Sequence, residues 1–269
     1  MSDTMLLIAY CAFLGCGVGF LAGLLGIGGG LIIVPVLSGI LLHFQVVDAS
    51  LVLIVAIATS LASILFTSTA SALAHHKNHN VPWGVAPWVM GGVAVGALIS
   101  GFCAGLLPAF LVRWVFSVSL VLIALKMVYS STKTQQKIRA LPNHLVLASL
   151  TAMMGGLSAM IGIGGGALLV PFLTYFSVDM KKAIGCASVC GIVIALFGSL
   201  GYVTSGSIHN TWTEGFAGFV YLPALFGIVL TSWFMAPLGA KATQFLPIST
   251  IKKIFAALLL GIAANMIIH

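Results

Sequence analysis

Apolar stretches of membrane-crossing length alternate with short polar breaks along the chain, and two of them are interrupted by the same string, GIGGG, at Gly26 to Gly30 and again at Gly162 to Gly166. Each GIGGG is followed by four apolar residues and then a proline, Pro35 or Pro171. A hydrocarbon core about 30 Å thick takes roughly 20 apolar residues of helix. The unbroken runs 50–73, 84–101, 112–129, 184–203, 216–235 and 251–267 therefore predict six full crossings. The interrupted runs, 5–42 and 145–176, predict something else. As a single helix the first would be about 57 Å long, at about 1.5 Å per residue, so it must bend back or tilt severely.

The interruptions belong to an internal repeat. Aligning Gly26 with Gly162 also pairs Ile27 with Ile163, Val34 with Val170, Pro35 with Pro171, Pro87 with Pro223 and Gly91 with Gly227. Small gaps then align Leu107-Pro108 with Leu246-Pro247, Arg113 with Lys252 and Phe116 with Phe255. The predicted organisation is a first transmembrane repeat over residues 1–129, a polar linker over 130–144 and a second repeat over 145–269.

Composition agrees with a bilayer. Of the 269 residues 61% are hydrophobic and 6% charged, against about a quarter charged in an average soluble domain. Too few residues separate the spans to build a soluble domain. The first run begins at Met5 with no Lys or Arg before it and has a second copy in mid-chain, so it reads as structure and not as a cleaved signal. Cys11, Cys16, Cys103, Cys186 and Cys190 form an odd, scattered set, mostly within apolar runs, which argues against a disulfide framework. The net charge of +7 resides in short inter-helix loops, where it reads as membrane orientation and not as nucleic-acid binding.

Those charges choose between two topologies, because Lys and Arg collect in cytoplasmic loops and the linker, with Lys133, Lys137 and Arg139, marks that side. If each interrupted run crosses once, the halves are parallel, with five basic residues inside and six outside. If each is a hairpin returning to its starting side, the halves are inverted. Only Arg113 then stays outside, against ten inside. The expected fold is therefore all-α, a polytopic integral membrane protein of two inverted-topology repeats. Each repeat has a re-entrant helical hairpin plus three full transmembrane helices, both termini lie outside the cytoplasmic membrane, and the linker is cytoplasmic.

Non-helical backbone at membrane depth survives only where protein or a wet cavity surrounds it. Two hairpins entering from opposite faces would bring their tips together near the midplane. Glycine there lets a ligand reach the main chain, and the helices resuming at Leu31 and Ala167 offer free N–H groups and the positive end of a dipole. This makes an anion site without a cationic side chain. The candidate substrate-binding residues are Gly26, Ile27, Gly28, Gly29, Gly30, Gly162, Ile163, Gly164, Gly165 and Gly166. Glycines spaced by four, such as Gly15, Gly19 and Gly23 or Gly92 and Gly96, read as helix packing instead. GIGGG lacks the GxGxxG spacing and following acid of a dinucleotide site, and there is no P-loop, so no cofactor is expected.

The segments GFLAGLLGIGGGLIIVPVL, GGLSAMIGIGGGALLVPFL, LPAFLVRWVFSVSLVLIALKMV and GFVYLPALFGIV together resemble the sulfite exporter TauE/SafE family of membrane proteins, over nearly the whole chain and with its duplicated organisation. The resemblance implies movement of sulfur-containing anions, such as sulfite or sulfoacetate and other organosulfonates, across the cytoplasmic membrane.

Other polar residues extend the candidate site or compete with it. Thr59 and Ser60, matched approximately by Ser188, sit in apolar spans near Ser63, Thr67, Ser68 and Thr69, where hydroxyls either bond a sulfonate oxygen or bond back to the helix carbonyl four residues earlier. Thr59, Ser60 and Ser188 join the substrate-binding candidates because both halves supply them after the hairpin. His75, His76 and His79 have no nearby Cys or carboxylate to complete a metal set and read as a polar cytoplasmic loop; no metal site is expected. Asp48, Asp179 and Glu214 fall at loops or span ends, so no buried acid marks a proton pump, and His43 reads as an interface residue. Cys186 and Cys190 stand one helical turn apart, which leaves a membrane thiol-redox or assembly factor as an alternative to a secondary transporter; a passive anion channel is another. The expected partners are a small anion, the lipid bilayer and, as an open question of assembly, a second copy of the chain.

Overall fold

A computed structural model of the chain describes residues 3–25, 28–129, 140–208 and 214–242. Gly26, Ile27, most of the linker and the expected last span at 251–267 lie outside those residues. Among the described residues the elements, in chain order, are α1 (Asp3–Leu25), α2 (Gly30–His43), α3 (Val52–Lys77), α4 (Ala86–Ala104), α5 (Ala109–Tyr129), α6 (His144–Ile161), α7 (Gly166–Tyr175), α8 (Met180–Ile208), β1 (Phe216–Ala217), β2 (Val220–Tyr221) and α9 (Leu222–Ala242). Helices α1, α3, α4, α6 and α8 are long and apolar enough to cross a bilayer. With this composition the chain is an all-α, multi-pass membrane protein.

Both interrupted runs break at their glycines. Helix α2 then runs back beside α1: Gly29 packs on Val18 and Ala22, and the rings of Tyr10 and Phe44 lie 5.9 Å apart. One expected boundary is corrected. The span expected from residue 216 starts at Leu222, and residues 216–221 form an antiparallel hairpin pairing Phe216 with Tyr221 and Ala217 with Val220. The physical reason lies in its turn residues. Gly215 and Gly218 take φ of 85° and 59°, a backbone only glycine adopts freely, and Pro223 favours a helix beginning just before it.

Helices α3 and α8 are the most enclosed spans. They pass each other antiparallel, with Ser71 Oγ 3.1 Å from Ser188 Oγ at one end, Gly191 against Ser68 in the middle and Gly198 against Leu61 at the other end. On the flanks, α1 packs along α9 and α6 along α4. Glycine permits both approaches: a β-carbon on Gly19 would lie 2.5 Å from Ser232 Cα, and one on Gly155 would lie 2.6 Å from Val93 Cα. The Thr231 hydroxyl adds a hydrogen bond across the first interface, donated to the Ala12 carbonyl at 2.7 Å. Outward positions such as Phe13, Leu145, Met153 and Phe234 are exposed and apolar, as suits helices whose outer solvent is lipid.

Candidate functional site at the paired glycine turns

The first turn reaches α2 through Gly28 and Gly29, each with φ of 77°. The second leaves α6 at Gly162, with φ of 72°, and enters α7 at Gly165, with φ of 77°. A side chain would be strained at all four positions, which is why the motif uses glycine there. The two turns touch. A β-carbon on Gly28 would sit 3.4 Å from Gly164 Cα, and one on Gly30 would collide with the Gly162 carbonyl oxygen.

Around this contact several carbonyl acceptors are engaged. The Ser60 hydroxyl donates to Gly162 O at 3.0 Å. Tyr202, fully buried in α8, donates to Ala159 O at 3.4 Å, and the Gly162 N–H shares that acceptor. Thr67 donates to Ile64 O at 3.3 Å and makes a longer contact of 3.5 Å with Gly28 O. The donors differ. Gly29 O accepts from Ile32 and Ile33, and Gly165 O accepts from Leu168 and Leu169, while the N–H groups of Gly30, Leu31, Gly164, Gly166 and Ala167 have no acceptor among the described residues. A buried unpaired amide costs about 1–3 kcal/mol. Donors with no acceptor among the described residues, at the positive ends of two helix dipoles, give a field suited to an anion. The Lys and Arg side chains that are described, Lys77, Arg113, Lys181 and Lys182, are exposed towards helix ends, away from the turns.

The structure distributes the other sequence candidates. Ile163 is buried, with its N–H bonded to Ser158 O. Ser60 reaches the second turn. Ser188 donates to Ile184 O at 2.9 Å, the back-bond to its own helix, so Ser71 supplies the proton in their shared contact. Thr59 is buried one residue from Ser60 but faces elsewhere, accepting the Tyr221 N–H at 3.0 Å and so tying the hairpin to α3. Cys186 and Cys190 are both fully buried, presenting no thiol at the surface. His43 packs edge-on to Phe44, and His76 to Trp83. Asp179 caps α8, its Oδ1 accepting the Lys181 N–H at 2.9 Å. A hollow of about 550 Å³ lined by Leu42, Gln45 and Asp48 opens at the end of α2, apart from the turns.

Sequence reading passed over two residues of this site. Tyr202 gives no local signal, because only the fold brings it to Ala159. Ile64 looks like any apolar residue of a span, yet it lies beside glycines of both turns. Thr67 was visible only as a neighbour of Ser60, although a spacing of seven residues puts two hydroxyls on one helix face.

A family model described as "Sulfite exporter TauE/SafE" matches residues 11–266. A protein of Haemophilus influenzae named "Probable membrane transporter protein" is 39% identical over 260 residues, covering 96% of this chain and 97% of its own. Proteins of similar name from Methanocaldococcus jannaschii and Bacillus subtilis are 25% and 27% identical, covering 90% and 94% of this chain and 88% and 95% of their own. No solved structure gave a significant match.

Proposed function

Since the chain belongs to the sulfite exporter TauE/SafE family, and so to the membrane transporters, we propose that it is a secondary transporter moving small sulfur-containing anions, such as sulfite or organosulfonates, across the cytoplasmic membrane. The observation that carries this reading is the set of amides from both turns that have no acceptor among the described residues, gathered at two helix N-termini beside carbonyls held by Ser60 and Tyr202. An oxyanion accepts several N–H bonds at once and removes their desolvation cost.

The turns are in contact, so loading requires them to part. The anion would bind between Gly28 to Leu31 and Gly164 to Ala167, with Ser60 holding the second turn in shape and Ser188, beside Ser71, lying on the way to the end of α3. Inverted repeats supply the symmetry for exposing one site to either side. Two contacts support inversion. The repeat-related helices α3 and α8 run antiparallel, whereas α4 runs parallel to α8, with Gly101 at Gly198 and Gly105 at Ser205. Parallel halves would reverse both. In this arrangement the termini are external, and the ends carrying Lys77, Lys181 and Lys182 are cytoplasmic. Buried Thr59 and Tyr221 close the external approach. Lacking a P-loop, the chain would draw on an ion or substrate gradient.

The test is counterflow in vesicles of purified protein. Internal sulfite should accelerate uptake of labelled sulfite, and Gly164→Val should abolish uptake while leaving insertion intact. Uptake indifferent to internal substrate would mark a channel, and flux unchanged in Gly164→Val would defeat the glycine site.

A further inference from the structure

Ile64 stands between the two glycine turns. Its side chain is fully buried. A β-carbon on Gly164 would lie 2.8 Å from Ile64 Cγ2, one on Gly30 would lie 2.8 Å from Ile64 Cδ1, and one on Gly28 would lie 3.5 Å from Cγ2. Ile64 is thus the nearest side chain to a glycine of each turn, and to two of the first turn. Its helix is pinned on either side of it. Ser60, four residues before, holds the Gly162 carbonyl, and Thr67, three residues after, reaches the Gly28 carbonyl. Spacings of four and three keep all three side chains on one face of α3.

We infer that Ile64 is the specificity-determining residue of the transporter, setting the largest organic group that can accompany an oxyanion head between the turns. The inference rests on the anion site proposed above. The head group is recognised by amides, which treat sulfite and a sulfonate alike, so amides alone cannot sort these anions by their substituents. Ile64 supplies what the amides lack. It offers no hydrogen bond, so it discriminates by volume. Branching at Cβ restricts χ1, which makes it a fixed apolar wall and not a swinging gate. A size difference of one methylene at such a wall is worth roughly 10–200-fold in selectivity.

The experiment is a size ladder, with sulfite, methanesulfonate, ethanesulfonate and propanesulfonate fluxes measured in vesicles of the full chain. Ile64→Val removes Cδ1, the atom facing Gly30, and should raise the propanesulfonate-to-sulfite flux ratio by about tenfold. Ile64→Ala should raise it further; if that variant does not fold, Ile64→Val decides alone. Leu65→Val, one residue along on a half-exposed position, should leave the ratio unchanged. A ratio unmoved by Ile64→Val, or moved equally by Leu65→Val, overturns the inference while leaving the transporter reading intact. If the wild-type protein carries none of the four anions, that reading fails first and the inference falls with it.

Discussion

Ser60 and Thr59 are adjacent and both buried, yet they serve different contacts. Ser60 satisfies a carbonyl of the second glycine turn, while Thr59 satisfies an amide of the 216–221 hairpin. Ser60→Ala strands Gly162 O without a donor and should lower stability by about 1–2 kcal/mol, read from unfolding in detergent. It should also weaken sulfite binding, because the turn loses its brace. Thr59→Val strands the Tyr221 N–H and should lower stability by a similar amount while leaving sulfite affinity unchanged. Equal loss of affinity in both variants would contradict this division. At this scale the glycine motif was legible because it is written twice and contradicts its surroundings. A glycine with positive φ inside an apolar run has few explanations. Ile64 and Tyr202 were not legible, because an apolar residue in a span and an aromatic ring on a distant helix acquire meaning only from what the fold sets beside them.

Among the elements, closeness of approach separates glycines that look alike in sequence. A β-carbon on Gly96 of α4 would run into the Ala152 carbonyl of α6, whereas one on Gly91 would meet nothing within 4 Å. Gly96→Val should therefore destabilise the protein by about 1–3 kcal/mol or prevent folding, since overpacking forces the helices apart. Gly91→Ala should be neutral or slightly stabilising, alanine being the better helix former. Parallel thermal unfolding in detergent compares the two, and equal losses would dissolve the distinction. Most helices were legible from apolar run length, and the breaks at Gly26 to Gly30 and Gly162 to Gly166 from the glycines. The hairpin before α9 was missed because Phe216, Phe219, Val220 and Tyr221 read as the apolar start of a span. Their burial against α3 and α8 is a tertiary fact, and burial of a short strand looks in sequence like burial in lipid.

Across the whole molecule, spaced identities in the sequence point to a repeat and the count of basic loops points to its inversion, and both stand as part of the proposed function. Which helices adjoin was not legible, because many small-residue faces could have paired. Single cysteines in a cysteine-free background test the orientation. Replacements at Asp48 and Glu214 should react with a membrane-impermeant thiol reagent in intact cells, and those at His79 and Lys181 only after permeabilisation. Reaction of all four from outside would exclude the inverted arrangement. The same background separates a transporter, which keeps its flux, from a thiol carrier, which loses its function.

The flank contacts also govern how the chain is made. Helix α1 leaves the ribosome long before α9, yet α9 supplies most of the surface it packs against. During synthesis the groove at Gly15 and Gly19 must wait, filled by lipid or by a neighbouring protein, until almost everything else has been inserted. Helix α1 thereby completes its packing late, and a chain truncated before α9 leaves its Gly15 and Gly19 face without a partner.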